Sequence, residues 1–188
     1  MKINNIFSVP LYQDNFNIDC KKLIKEVLKE KKKNKGRMLS NFVGWQSDSF
    51  NKIKKPFEEF FNLINLSVNN YQKVLQYTKN LKLCNYWFNV SPYGAFNRPH
   101  NHSPCCLSGV FYLSVPKNSG NIVFMNSNSG ILDITFPNLE IYNQWTSSRY
   151  AHIPKQNDFL LFPSYAEHYV ETNMNKKYRI SMSFNYVV

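Results

Sequence analysis

Two of the chain's four histidines, His100 and His102, stand one residue apart in the run Asn97-Arg98-Pro99-His100-Asn101-His102. On an extended segment, a period of two sends both imidazoles to one face, where they can share a metal ion. His168, far along the chain, would close such a site. Beyond it, the run from Tyr178 to Tyr186 alternates cleanly. Tyr178, Ile180, Met182, Phe184 and Tyr186 fall on one face, and Arg179, Ser181, Ser183 and Asn185 on the other. A guanidinium on the polar, inward face of a strand needs an anionic partner, because an unpaired buried charge is expensive. The run holds no Asp or Glu. The partner is therefore either a bound carboxylate or a side chain from elsewhere, Asp158 or Glu171 being the candidates.

The elements that must position these groups are legible from periodicity. Residues 3–12 alternate weakly and end near Pro10, which reads as a short edge strand or extended arm. A helix is expected from Asn17 or Asp19 onward, with Leu23, Ile24, Val27 and Leu28 as its apolar stripe and Gly36 as its stop. Residues 37–46 then form a loop or short strand in which Trp45 is a packing residue. A second helix, with Pro56 in its first turn, carries Phe57, Phe60, Phe61, Ile64, Val68, Tyr71 and Leu75 at steps of three and four. That face is expected to lie flat on a sheet.

After Asn80 the texture turns extended and stays so. Residues 83–91 place Leu83, Asn85, Trp87 and Asn89 on one face, and Cys84, Tyr86, Phe88 and Val90 on the other. Asn85 and Asn89 suit a polar cavity better than a packed interior. Further strands are predicted over residues 106–115, 122–125, 131–136, 139–143, 150–153, 158–162, 169–171 and 178–187, with turn signals between them. Two helices followed by such a series predict a mainly β fold, a double-stranded β-helix or jelly roll braced by the helices. One domain is expected over 1–188, with 1–80 a mostly helical support and 81–188 the β core. The length suffices to bury about 70 per cent of the unfolded surface.

The chain carries a formal charge of +11, but the excess is local. Nine Lys and Arg between Lys21 and Arg37 face only Glu26 and Glu30, which puts +7 in that segment. A solvated helix face is the simpler reading of it, and a phosphate-tracking, nucleic-acid-binding patch is the alternative. Cys20, Cys84, Cys105 and Cys106 lack CxxC spacing and read as reduced thiols. No stretch has the length of a membrane span, and the start lacks the apolar region of a signal peptide. A cytoplasmic setting is expected, the host's if the chain is phage-encoded.

The order of His100-x-His102, then Ser108-Gly109-Val110-Phe111-Tyr112-Leu113, then Phe162-Pro163-Ser164-x-x-x-His168, then Arg179-x-Ser181 resembles the iron(II)- and 2-oxoglutarate-dependent oxygenases. It resembles more narrowly a group of small oxygenases of this kind found in phages and bacteria. The similarity covers about the last hundred residues, together with Gly44-Trp45-Gln46-Ser47 upstream. The resemblance implies Fe(II) held by His100, His102 and His168, with positions left for 2-oxoglutarate and dioxygen. It also implies that Arg179 anchors the far carboxylate of 2-oxoglutarate, helped by Ser181. Tyr112, on the Ser108 face of its strand, either adds a hydrogen bond to the cosubstrate or is a buried core tyrosine. The reaction implied is a hydroxylation coupled to oxidative decarboxylation of 2-oxoglutarate, on a substrate the residues do not name. One departure is plain: the common signature has a carboxylate where this chain has His102. Three readings follow, in which His102 completes a three-histidine set, Asp133 or Glu167 ligates in its place, or the metal is zinc, copper or nickel.

Two other classes compete. A cupin-type metalloprotein shares the fold, and Gly94, separated from His100 by five residues, fits the opening of its first motif. The glutamate expected next is Cys106 or Leu107 here, and Tyr165 and Thr172 replace the Gly and Asn of the second motif. A non-enzymatic jelly-roll binding or virion-assembly module would leave the histidines without work.

Overall fold

The computed structural model describes residues 2–141 and 143–188. Eleven strands lie among them in two antiparallel sheets. The larger runs in the order β1 (Tyr12–Asn15), β9 (Asp158–Pro163), β6 (Leu107–Ser114), β11 (Arg179–Val187), β4 (Lys82–Ser91) and β3 (Trp45–Gln46). The smaller runs β2 (Asn41–Phe42), β5 (Phe96–His100), β10 (His168–Val170), β7 (Ile122–Met125) and β8 (Arg149–His152). This is a double-stranded β-helix, mainly β with N-terminal helices.

The larger sheet separates two environments because its strands alternate. On the outer face, Ile180, Met182, Phe184 and Tyr186 of β11 join Tyr86, Phe88 and Val90 of β4 in the main core. Two helices cover that face, α1 (Lys21–Lys33) and α2 (Glu58–Val74), the latter entered through a 3-10 turn, Lys55–Phe57. Leu23 and Val27 of α1 and Phe60, Phe61, Ile64, Val68 and Tyr71 of α2 are buried there, as the stripes predict. Aromatic contacts carry much of the packing: ring centroids lie 4.5 Å apart for Phe60 and Phe111, and 4.9 Å for Phe61 and Tyr86. Gly109 makes room for one ring, since a Cβ there would come within 2.5 Å of the Phe184 ring and 2.7 Å of the Leu160 carbonyl oxygen. The inner face turns Arg179, Ser181, Ser183 and Asn185 toward the smaller sheet, with only a small apolar cluster around Val110, Tyr112, Ile122, Leu160 and Phe162.

Several elements differ from expectation. Residues 131–136 are not a strand: 131–135 belong to a short surface helix, α3 (Ser129–Thr135), with Phe136 at its C-cap and Ile131 and Ile134 exposed. The edge beside β7 is taken by β8, so that segment has no strand to pair with. Residues 139–141 and 143 form no strand either, and Tyr142 lies outside the described residues. The N-terminal edge strand is real but begins at Tyr12, leaving residues 2–11 outside any strand or helix and mostly exposed. The first eighty residues do more than brace the barrel: β1 and β3 edge the larger sheet, and β2 edges the smaller one. Trp45 packs in that region, its indole N–H donating to the Asn34 carbonyl at 3.2 Å. No helix among the described residues is long and apolar enough to cross a membrane.

Candidate active site

His100 ends β5, His102 lies in the loop after it, and His168 opens β10, where it pairs directly with His100. The sheet register therefore brings together what the chain keeps 68 residues apart. The three side chains offer ring nitrogens that all lie within 4.8 Å of one another. Their ring centroids are 4.4 Å apart for His100 and His168, 5.1 Å for His100 and His102, and 5.2 Å for His102 and His168.

Two of the rings are held in one orientation. The Nδ1 atoms of His100 and His168 lie 2.7 Å and 2.9 Å from the carbonyl oxygens of Arg98 and Ala166. A carbonyl only accepts, so Nδ1 carries the proton and the Nε2 lone pair is left for a ligand. Burial keeps the rings neutral. It lowers the pKa of His100, brings His102 down to about 4 with His100 adding to the effect, and brings His168 down to about 3, again with His100 contributing. Trp87 flanks His102 at 5.6 Å between ring centroids, and Phe162 flanks His168 at 5.0 Å. Neutral, oriented imidazole at this spacing is the chemistry a first-row divalent metal takes, Fe(II) included. Among the described residues no carboxylate belongs to the cluster. Asp133 is exposed on α3, and Glu167 is exposed beside His168, its charge opposing the effect of burial on His100. Cys105 and Cys106 stand outside the cluster, and all four cysteines are free.

The histidines open onto a cavity of about 340 Å³ between the sheets, which Arg179, Ser181 and Tyr112 also line. Arg179 is 3% exposed. Its Nη1 donates to the carbonyls of Ser119 at 2.6 Å, Gly120 at 3.3 Å and Glu171 at 3.4 Å, and Nη2 donates to Ser91 Oγ at 3.4 Å. No carboxylate among the described residues pairs with it. The Glu171 carboxylate accepts from the Asn121 N–H, and the Asp158 carboxylate faces His152 at 3.2 Å. Neither forms the salt bridge that the sequence left open for Arg179. Burial lowers the guanidinium's pKa, opposed by Tyr112, and burial raises the Tyr112 phenol while Arg179 pulls it down. A buried cation cradled by neutral oxygens is set to take an anionic ligand. Gly120, at φ +89°, is part of the cradle: a Cβ there would meet the Glu171 backbone and stand 3.0 Å from Arg179 Nη1.

The polar side of β4 lines the same cavity, with Asn85, Trp87 and Asn89 turned inward. Asn89 Nδ2 donates to Ser183 Oγ at 3.1 Å, and Asn185 Nδ2 to Asn85 Oδ1 at 3.1 Å. Residues missed in the sequence are those delivered by pairing over distance. Ser40, next to β2, sits 3.4 Å from His100 Nε2, and Ser91 reaches Arg179 from the end of β4. Serines in isolation carry no signal that would single them out.

A two-sheet barrel with helices on one face and this cavity within belongs to the jelly-roll class. A family model described as "Putative 2OG-Fe(II) oxygenase" matches residues 85–185, more than half of the chain, and the chain belongs to that family. It is thus an oxidoreductase of a family that uses Fe(II) and 2-oxoglutarate with dioxygen, not a cupin or a non-enzymatic jelly-roll module. Among solved structures it is similar to a Pseudomonas putida prolyl-4-hydroxylase, with TM-score 0.66 and 12% identity over 94% of this chain and 91% of that one. It is similar also to a viral collagen prolyl hydroxylase from Paramecium Bursaria Chlorella virus-1 in complex with 2OG, with TM-score 0.62 and 11% identity over 95% and 96% of the two chains. A third is a Trichoplax adhaerens prolyl hydroxylase bound to a hypoxia inducible factor peptide fragment, with TM-score 0.66 and 14% identity over 94% and 83%. At these identities the likeness shows the fold alone. No curated protein matches the sequence.

Proposed function

We propose that the chain is a hydroxylase in which His100, His102 and His168 hold Fe(II), and Arg179 with Ser181 and Tyr112 holds 2-oxoglutarate. The observation that carries the reading is the pairing, in one cavity, of three convergent neutral imidazoles with a buried guanidinium that has no carboxylate partner among the described residues. Fe(II) held by His100, His102 and His168 would supply the oxidative chemistry, in which 2-oxoglutarate and dioxygen would give succinate, carbon dioxide and a hydroxylated substrate. One oxygen atom enters succinate and the other enters the product.

The chain's own residues bind and orient. The carbonyls of Arg98 and Ala166 fix two rings and leave Nε2 as the atom that would bind a metal. The Ser119, Gly120 and Glu171 carbonyls aim the Arg179 fork at the distal carboxylate. Trp87 and Phe162 shield the imidazoles from water. Three imidazoles place the full charge of the ion in the site, and a dianionic cosubstrate offsets it.

Anaerobic titration of the protein with Fe(II) and then 2-oxoglutarate tests the reading through the visible metal-to-ligand charge-transfer absorbance. The band is expected to saturate at one equivalent of each, and to disappear in His100→Ala. A reconstituted, folded protein without that band would overturn the assignment.

A further inference from the structure

The substrate's class can be read from the walls, the mouth and the approach to the cavity. Of the residues lining it, none is Asp or Glu, and six are carboxamides: Gln46, Asn85, Asn89, Asn97, Asn101 and Asn185. A cationic substrate would meet only Arg179, the metal site and neutral dipoles, so a neutral or anionic group is favoured. Gln46 is 5% exposed and lines the cavity. A buried carboxamide that offers donor and acceptor together matches the edge of a heterocycle bearing the complementary pair.

The mouth is marked by Leu39, Ser49 and Asn101, which line the cavity and are exposed. On the paired strands β2 and β5, Phe42 and Phe96 lie 5.1 Å apart, and the exposed Arg98 stands 5.5 Å over the Phe42 ring. Arg98 is tied to the rim, its N–H donating to the Ser40 carbonyl at 2.9 Å. The basic segment ends here too. Exposed Lys32, Lys33, Lys35 and Arg37 lead directly into Leu39 and Ser40. Glu26 and Glu30 are occupied by Lys29 and Lys54, and Asp48 lies 4.0 Å from Arg37. Lys32, Lys33, Lys35 and Arg98 have no ion pair among the described residues.

We propose that the primary substrate is a base of single-stranded nucleic acid, whose phosphates follow the ridge from Lys32 through Arg37 to Arg98 while one nucleotide enters the cavity. The inference rests on the oxygenase reading above. A positive track with flat apolar and guanidinium surfaces beside it is what single strands bind without sequence preference. The site is recessed between two sheets, so a base must leave its stack to reach it, which favours a single strand over a duplex. The exposed Phe42 ring and the carboxamides lining the cavity favour a nucleic acid over an acidic polypeptide, which has charge but no bases to place there.

The test uses the full chain loaded with Fe(II) and 2-oxoglutarate. Fluorescence anisotropy, without oxygen, reads binding of labelled single-stranded DNA and RNA oligonucleotides against a duplex and polyglutamate. About five phosphate contacts would give a slope of log affinity on log salt of roughly −3.5, and Lys32→Gln with Lys33→Gln and Lys35→Gln should reduce its magnitude by about 2. The duplex should bind at least about tenfold more weakly. With oxygen, the single strand is expected to raise succinate formation several-fold and to gain one oxygen atom by mass spectrometry. Gln46→Ala should retain binding and lose the coupled succinate. Succinate formation indifferent to the oligonucleotide, or polyglutamate binding as tightly as the strand, would overturn the substrate class and leave the oxygenase reading intact. Absence of the charge-transfer band and of Fe(II)-dependent succinate in every arm would sink both.

Discussion

Replacing Arg179 with Met deletes a buried fork that touches three carbonyls and a serine hydroxyl, yet no carboxylate among the described residues. If that fork holds the distal carboxylate of 2-oxoglutarate, truncation leaves the ligand's charge buried without its partner, at a cost of about 2–5 kcal/mol. At tenfold per about 1.4 kcal/mol, the Kd for 2-oxoglutarate should rise by a factor of roughly 30 to roughly 4,000. Arg179→Lys keeps the charge but loses the planar fork, and should fall between wild type and Met. The same truncation strips a donor from the carbonyls of Ser119, Gly120 and Glu171, costing about 1–3 kcal/mol of stability. For a chain of this size that is a melting-temperature drop of about 2–12 °C, so binding must be measured well below the transition. The assay is anaerobic titration of Fe(II)-loaded protein with 2-oxoglutarate, with Fe(II) affinity measured separately and expected to hold. A folded Arg179→Met protein whose Kd for 2-oxoglutarate stays within about threefold of wild type would refute the anchoring argument.

His102→Ala should weaken Fe(II) binding by a hundredfold or more, whereas His102→Asp, which restores an anionic donor, should retain the ion; equilibrium dialysis showing the two variants equal to wild type would remove His102 from the ligand set. The pKa values of His102, about 4, and His168, about 3, lie below the imidazole norm through burial, so the unfolded chain binds protons that the folded one excludes. Stability of the metal-free protein should therefore be full above about pH 6.5 and decline as pH falls toward 4, and melting temperatures flat across that window would contradict it. Phe61, fully buried between α2 and the larger sheet, should cost about 3–5 kcal/mol when changed to Ala. Chemical denaturation reads that loss, and a change under about 1 kcal/mol would mean that α2 does not seal the core as described.

Much of the architecture was legible because burial imposes strict periods. The alternation of Arg179, Ser181, Ser183 and Asn185 against Ile180, Met182, Phe184 and Tyr186 named both faces of β11, and Asn85 and Asn89 pointed to a polar interior. The α2 stripe named the brace. Residues 131–136 misled because Ile, Leu and Phe suit a strand, while strand formation also needs a free edge, and β8 occupies it.

The residue order alone named the donors and the strand face each took, because side-chain direction follows from backbone period. Long-range pairing set the rest: His168 against His100, Asp158 and Glu171 turned to other partners so that Arg179 has no carboxylate among the described residues, and the charged segment after α1 brought to the rim. Each of those depends on register between strands distant along the chain. Local propensity does not encode such register, and packing of the whole barrel selects it.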